Sequence, residues 1–303
     1  MHLWHRILGI HARRRGFAVS STAEPQGSTP DSPTQGSPIY TSPQTVAEFA
    51  NNLAVVRAKI DAAAIRAGRA PEEVRLLPVS KTVPEERLRL AVAAGCHQLG
   101  ENKVQEAKRK WQNLSELDVC WSVIGHLQRN KARDVAAFAS EFQALDSLRL
   151  AEALDRRLAA AGRSLDVYVQ VNSSNEPQKY GIDPGETLEF LRQLTQFETL
   201  RVQGLMTLAL FTSDAERVRA CFKVLRNVRD EIRETDPDLI GPGELSMGMS
   251  GDYEIAIEEG ATCVRVGQAI FGARALPDSY YWPEAAAPKT TGRNEATSSN
   301  SAS

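Results

Sequence analysis

The sequence predicts an α/β fold, a single (β/α)8 TIM barrel with an extra N-terminal helix, and three observations lead there. Short apolar runs alternate with helical patterns eight times, and strand–helix alternation means βα units in a parallel sheet. The alternation fits within one domain, near the ~250 residues usual for such barrels. No G-x-G-x-x-G follows the first run, which weakens an open, dinucleotide-binding sheet.

The extra helix comes first. Ser42-Pro43 and the capping box Thr45-x-x-Glu48 mark its start. Val46, Phe49, Leu53, Val56, Ile60 and Ala63 recur at spacings of three and four as one apolar stripe, and Gly68 ends it. Strands are predicted at 75–80, 97–102, 119–125, 141–145, 166–171, 202–209, 243–249 and 263–270, the second, "HQLGEN", being the weakest. Helices are predicted at about 84–95, 103–112, 130–138, 147–161, 184–194, 213–235 and 252–259. The clearest is 213–235, where Ser213-x-x-Glu216 reads as the cap and Val218, Phe222, Leu225, Val228 and Ile232 as the stripe.

Composition narrows the function classes. The 303 residues are 42% hydrophobic and 24% charged, with a formal net charge of −2. Such a balance gives no global pull toward nucleic acid or anionic membrane. No 18-residue apolar run predicts a membrane span. Cys96, Cys120, Cys221 and Cys263 form no C-x-x-C pair and read as reduced core thiols. Residues 1–22 hold Arg6, Arg13, Arg14 and Arg15 and no acid, with Leu3, Ile7 and Ile10 on one helical face. A mitochondrial-type transit peptide and a disordered basic tail both fit, so a cytoplasmic or a mitochondrial location stays open. Residues 23–41 read as a Pro/Ser-rich linker that completes a disordered 1–41 extension. The barrel is expected at 42–275 and a disordered tail at 276–303.

In a barrel of this class the chemistry lies where each apolar run stops. Those positions are Lys81, Asn102, His126, Asn172, Thr207, Ser250 and Gly267. Lys81 can be a solvated loop residue, a phosphate clamp or a Schiff-base amine. The last two strands bear on the choice. "ELSMGMSGDYEIAIEEG" sets Ser246, Gly248, Ser250 and Gly251 just before a helix, and "VRVGQAIFG" sets Gly267 and Gln268 after the eighth strand. Small residues there let backbone N–H groups approach an anion, and these two loops are the usual phosphate site of such barrels. A phosphorylated carbonyl compound follows: a sugar phosphate, or pyridoxal 5′-phosphate (PLP). Arg265 alternates with Val264 and Val266, so it points to the other face of its strand. A pyridine nitrogen, or a barrel glutamate such as Glu101 or Glu244, would satisfy it.

These residues sit within longer motifs. They are "VSKT" (79–82), "GENKVQEA" (100–107), "IGHLQRNK" (124–131), "VNSSNEPQKYGI" (171–182), "VQGLMTLA" (202–209), "LSMGMSGD" (245–252) and "VRVGQAIFG" (264–272). In this order the chain resembles the PLP homeostasis proteins, also called the YggS or PROSC family, over about 43–274. The resemblance implies a PLP fold type III barrel like the N-terminal domain of alanine racemase. It implies PLP held as a Schiff base on Lys81, and phosphate bound by Ser250, Gly251, Gly267 and Gln268. Arg265 would face the pyridine nitrogen, and Asn102, His126 and Met206 would line the pocket. Lys103, Ser122, Arg129 and Gln268 depart from the family pattern. At Gln268 a side-chain hydroxyl contact to phosphate is lost while the backbone donor stays.

The implied role is a non-catalytic PLP carrier in vitamin B6 homeostasis, a monomer or weak dimer serving PLP-dependent apo-enzymes. The alternative is a PLP-dependent amino-acid racemase, which needs bases on both faces of the cofactor. Alanine racemases take the second base from a tyrosine in a further domain. About 29 residues follow Arg274, including Tyr280 and Tyr281, too few for such a domain. A lysine-dependent aldolase is the third reading. No metal site is expected.

Overall fold

The computed structural model describes residues 40–176 and 179–273. The expected transit peptide, nearly all of the linker and the tail at 276–303 lie outside the described residues.

Among the described residues eight short strands form one parallel sheet. They are β1 (Arg75–Pro78), β2 (Gln98–Glu101), β3 (Cys120–Val123), β4 (Glu141–Leu145), β5 (Leu165–Gln170), β6 (Leu200–Met206), β7 (Glu244–Ser246) and β8 (Cys263–Val266). Their spatial order is β1-β8-β7-β6-β5-β4-β3-β2. A parallel bridge between Val79 and Gly100 joins the two ends of this order. There the Ser80 N–H donates to the Gly100 carbonyl at 2.9 Å. The sheet thereby closes into the expected barrel, and closure leaves no edge strand.

Helices cross between the strands. They are α1 (Val46–Arg66), α2 (Glu85–Ala93), α3 (Val104–Asn113), α4 (Ala132–Phe138), α5 (Leu148–Ala160), α6 (Thr187–Leu194), α7 (Ala215–Thr235) and α8 (Tyr253–Glu258). α1 is the extra helix. Thr45 caps it in a full capping box with Glu48, as the sequence predicts. Phe49, Val56, Ile60 and Ala63 of its stripe are buried. Val46 departs from that pattern and is exposed. It occupies the first helical position, where the helix has not yet reached its neighbours. Phe49 meets Phe271 edge to face at 5.9 Å, which fixes α1 on the chain just after β8.

Several boundaries shift. The cap of α7 is Asp214, whose carboxylate accepts from the Glu216 and Arg217 N–H groups, and not Ser213. A carboxylate is the stronger acceptor beside the positive end of a helix. β6, β7 and β8 stop earlier than predicted, at Met206, Ser246 and Val266. Beyond them the backbone leaves the ladder. Gly248 has φ +93°, and Gln268–Phe271 form a helical turn. Residue pattern does not register this, because the turning residues are themselves apolar or small.

The barrel lumen is polar. Arg75 of β1 pairs with Glu141 of β4 at 2.8 Å and donates to the Tyr168 hydroxyl of β5 at 3.1 Å. The Tyr168 hydroxyl in turn donates to Glu244 of β7. Gln143 of β4 donates to Glu141 and accepts from the Ser246 hydroxyl of β7 at 2.7 Å. Non-adjacent strands can meet this way only across the interior. Tyr168, Gln143 and Ser246 are buried, Arg75, Glu141 and Glu244 half-buried, and all are bonded to one another, which removes most of the penalty of their desolvation. The short, buried strands leave the apolar core to the layer between barrel and helices, where Leu88, Val135, Leu154 and Leu225 are fully or nearly fully buried.

All four cysteines are free, and three are buried as expected. Cys120, at the start of β3, is exposed instead. Burial pushes the Cys96 thiol up to about 12 and raises that of Cys263 as well. Iodoacetamide at neutral pH is therefore expected to modify Cys120 alone in the native protein. Mass spectrometry of the labelled peptides checks this, with the other three reacting only after denaturation.

Candidate functional site at the C-terminal rim

All strands run the same way, so their C-terminal ends share one rim. Each expected site residue lies at or just beyond such an end. Lys81 follows the Val79–Gly100 bridge, and Asn102 follows β2 directly. Gly125 lies so close to Asn102 that an added Cβ would sit 2.3 Å from the Asn102 carbonyl oxygen. Only glycine fits there, and the contact sets His126 beside Asn102 on the rim. Met206 ends β6 and is fully buried. Its carbonyl accepts from Val171 at the end of β5.

The β7 and β8 loops also meet. The Gly267 N–H donates to the Ser250 hydroxyl oxygen at 3.3 Å. The Val79 N–H donates to the Val266 carbonyl at 2.8 Å, so Gly267 flanks the segment that carries Lys81. A Cβ on Gly267 would stand 3.1 Å from the Val79 carbonyl oxygen, whereas one on Gly251 would meet nothing within 4 Å. Ser250 and Gly251 border a cavity of about 230 Å³ together with Asn52, Lys59 and Tyr253. Gln268 is half-buried at the first position of the turn that follows.

Arg265 is buried in the lumen, 3% exposed. Its Nη1 donates to the Ser246 hydroxyl at 2.6 Å and its Nη2 to the Thr207 carbonyl at 2.7 Å. Neither glutamate offered as its partner reaches it. Glu244 accepts from Tyr168, and Glu101 is engaged elsewhere. Two of the guanidinium's five N–H donors are thus assigned to oxygen atoms below the rim. Of the other strand-end residues, Thr207 gives its hydroxyl proton to the Val171 carbonyl, and Asn172 donates to the Glu176 carbonyl.

Lys81 occupies a tight turn. The Val83 N–H bonds the Ser80 carbonyl at 3.0 Å, and Thr82, third of the four residues, has φ +66°. A turn with positive φ at that position ordinarily takes glycine, and a β-branched residue there is strained by roughly 1–3 kcal/mol. The neighbouring helix holds it. Glu106 of α3 accepts from the Thr82 N–H at 2.8 Å and from Lys110 at 2.7 Å. Lys110, fully buried, also donates to Glu101 at 2.7 Å and to the Ser80 carbonyl at 2.8 Å. The Ser80 hydroxyl donates to the same Glu101 oxygen at 2.6 Å. Burial raises the Glu101 carboxyl, and the Lys110 ammonium opposes that shift. The residues on both sides of Lys81 are therefore tied to one buried ion cluster.

Sequence reasoning missed this cluster, because "GENKVQEAKRK" reads as an ordinary charged helix face. It also missed Tyr180 and Asp146. The Tyr180 ring stacks on His126 at 3.7 Å between centroids, and Asp146 stands 3.5 Å from His126 Nδ1. Burial raises the Asp146 carboxyl, and the neighbouring His126 counters it. Among the described residues no group of three side chains forms a metal site.

Comparison with known proteins now bears on this rim. Residues 47–275 match the family described as "Alanine racemase, N-terminal domain". The pyridoxal phosphate homeostasis protein of Escherichia coli (strain K12) is 42% identical over 230 residues, which cover 75% of this chain and 97% of the relative. The chain belongs to the pyridoxal phosphate homeostasis protein family.

A solved structure supports the family assignment. PipY of Synechococcus elongatus PCC7942, described with PLP bound, superposes with a TM-score of 0.66 at 37% identity, covering 74% of this chain and 100% of PipY. An alanine racemase of Clostridium difficile 630 gives a TM-score of 0.59 at 17% identity. That likeness concerns the barrel fold alone, and this chain covers 61% of the racemase.

In this homeostasis-family barrel the ion cluster under Lys81 makes a testable demand. Lys110→Met leaves the fully buried Glu101 carboxylate without its cation and is expected to cost about 3–5 kcal/mol. Pairing it with Glu101→Gln should recover part of that loss, a coupling that a double-mutant cycle in urea measures.

Proposed function

We propose that this chain binds PLP through Lys81 and acts in PLP homeostasis as a carrier without strong catalysis of its own. The observation that carries the proposal is the gathering of Lys81, Arg265, Ser250 and Gly267 on one rim, in a chain 37% identical to a PipY solved with PLP. The residues suit the group. A half-buried amine at Lys81 can condense with an aldehyde, releasing water and forming a Schiff base. The Ser250 hydroxyl and the N–H groups of the loops beside Gly251, Gly267 and Gln268 can donate to a phosphate. Arg265 retains donors for a ring nitrogen. Asn102, His126 and Met206 flank the same rim.

Bound PLP supplies a reactive aldehyde and an electron sink. This chain's residues mute the second property. A buried guanidinium keeps its proton, so a ring nitrogen facing Arg265 would stay unprotonated. Strong PLP catalysts usually set a carboxylate at that nitrogen. Here Ser246 and the Thr207 carbonyl hold Arg265 firmly in place. Catalytic weakness thus follows from an arginine fixed from below. Recipients would be PLP-dependent apo-enzymes, met in the cytoplasm or the mitochondrion, and the chain would act as a monomer or weak dimer. Among the described residues no helix is long and apolar enough to cross a membrane.

The test is the absorbance spectrum of the purified protein with added PLP, then borohydride reduction and peptide mapping. A visible band that borohydride bleaches, leaving a phosphopyridoxyl group on the Lys81 peptide, is expected, with both lost in Lys81→Ala. Solvent deuterium should exchange into the α-position of alanine no faster than with free PLP. A colourless protein that takes up no PLP would sink the binding role. Enzyme-like exchange that vanishes in Lys81→Ala would replace the carrier with a racemase.

A further inference from the structure

We propose that the cleft between α4 and α5 is a second binding site, for a small anion bearing a polyphosphate group. Arg129, in the turn just before α4, and Arg133 of α4 face Arg149, Arg156 and Arg157 of α5 across a cavity of about 360 Å³. One acid, Glu152, shares the lining, which leaves a formal charge of +4 in a chain whose net charge is −2.

These five guanidiniums form no ion pair or side-chain hydrogen bond with another described residue. Elsewhere the chain pairs its arginines readily. Arg219 meets Glu258 and Glu259, Arg226 meets Glu259, and Arg66 meets Glu254. Five unpaired like charges within roughly one Debye length repel one another, so the cleft is a standing source of positive potential.

The chemistry of the lining selects the ligand. A guanidinium presents a planar fork that matches phosphate oxygens two at a time. A single phosphate brings at most two negative charges and leaves the cleft positive, whereas a di- or triphosphate balances it. The rest of the lining is Asn130, Ala132 and Ala153, with no aromatic ring for a base to stack on. Recognition would rest on the phosphate chain and leave the remainder of the molecule outside. The volume falls at the lower end of the ~300–1,000 Å³ common for small-molecule sites. Glu152 sits badly with a long polyanion and well with a ligand that also offers a hydroxyl or amine donor.

The lining shares no residue with those assigned to the rim site. Along the chain, His126 lies three residues before Arg129 and Asp146 two residues before α5. No group of the cleft enters the proposed Lys81 site.

Calorimetric titration of the full chain, first saturated with PLP, tests the proposal. The probes are sodium tripolyphosphate and inorganic phosphate, each at low and at physiological salt. Tripolyphosphate is expected to bind at least ~10-fold more tightly than phosphate, with affinity falling as salt rises. R133Q/R156Q, and independently R129Q/R149Q, should each weaken it by ~10-fold or more, because two charge-assisted bonds are lost. R217Q, on the exposed face of α7, should leave it unchanged, as should the PLP absorbance in all variants. Unaltered binding in both double variants would overturn the site. So would equal affinity for phosphate and tripolyphosphate. A glutamate-rich peptide that outcompetes tripolyphosphate would make the cleft a protein-docking surface instead.

Discussion

The ring of strands closes at one joint, between Val79 and Gly100, and the rest of the rim depends on it. The joint is narrow: a single bridge, whose bonds include that from the Ser80 N–H to the Gly100 carbonyl. Beneath it lie Glu101 and Lys110, both fully buried and bonded to each other and to Ser80. Such a pair gains little over apolar packing but tolerates no change in one partner alone. It therefore acts less as a source of stability than as a constraint on geometry. Barrel closure and the placement of Lys81 come from the same few atoms.

A second constraint runs through the lumen. Many barrels fill this space with branched apolar side chains. Here Arg75, Glu141, Gln143, Tyr168, Ser246 and Arg265 form a bonded series from floor to rim. Desolvation lowers the proton affinity of Arg265, and this series offsets part of the cost of burying its charge. The polar lumen thus makes room for a buried cation at Arg265, the residue proposed above to face a ring nitrogen. The chain's relatives include a protein solved with PLP, and this lumen gives a physical account of how a barrel could hold that group without driving its chemistry.

Much of the architecture was legible in the residues. Apolar alternation marked all eight strands, and the Thr45 box marked α1 at its true start. Strand ends pointed to Lys81, Asn102, His126 and Gly267, and the fold sets these residues at the C-terminal ends of the strands, where barrels of this class carry their chemistry. Contacts between distant segments were not legible. Lys110 has the look of a solvated helix lysine until α3 is laid against β1 and β2. Tyr180 lies within a recognisable motif, yet only the fold sets its ring on His126. The partner of Arg265 was misjudged for a related reason: burial and alternation give a side chain's direction but not the depth at which it meets others. Ser213 was preferred to Asp214 because a capping box is a pattern of spacing, whereas the cap itself is chosen by backbone geometry.

The turn at Ser80–Val83 has one further consequence. Thr82 adopts a conformation that a disordered chain visits rarely, and α3 keeps it there. The lysine's backbone search is finished during folding, before any partner molecule arrives. In the binding proposed for Lys81, the freedom lost would be confined to the four-carbon stem of one side chain. A site prepared in this way spends little ordering entropy on uptake, so more of each contact's energy is left for holding what it binds.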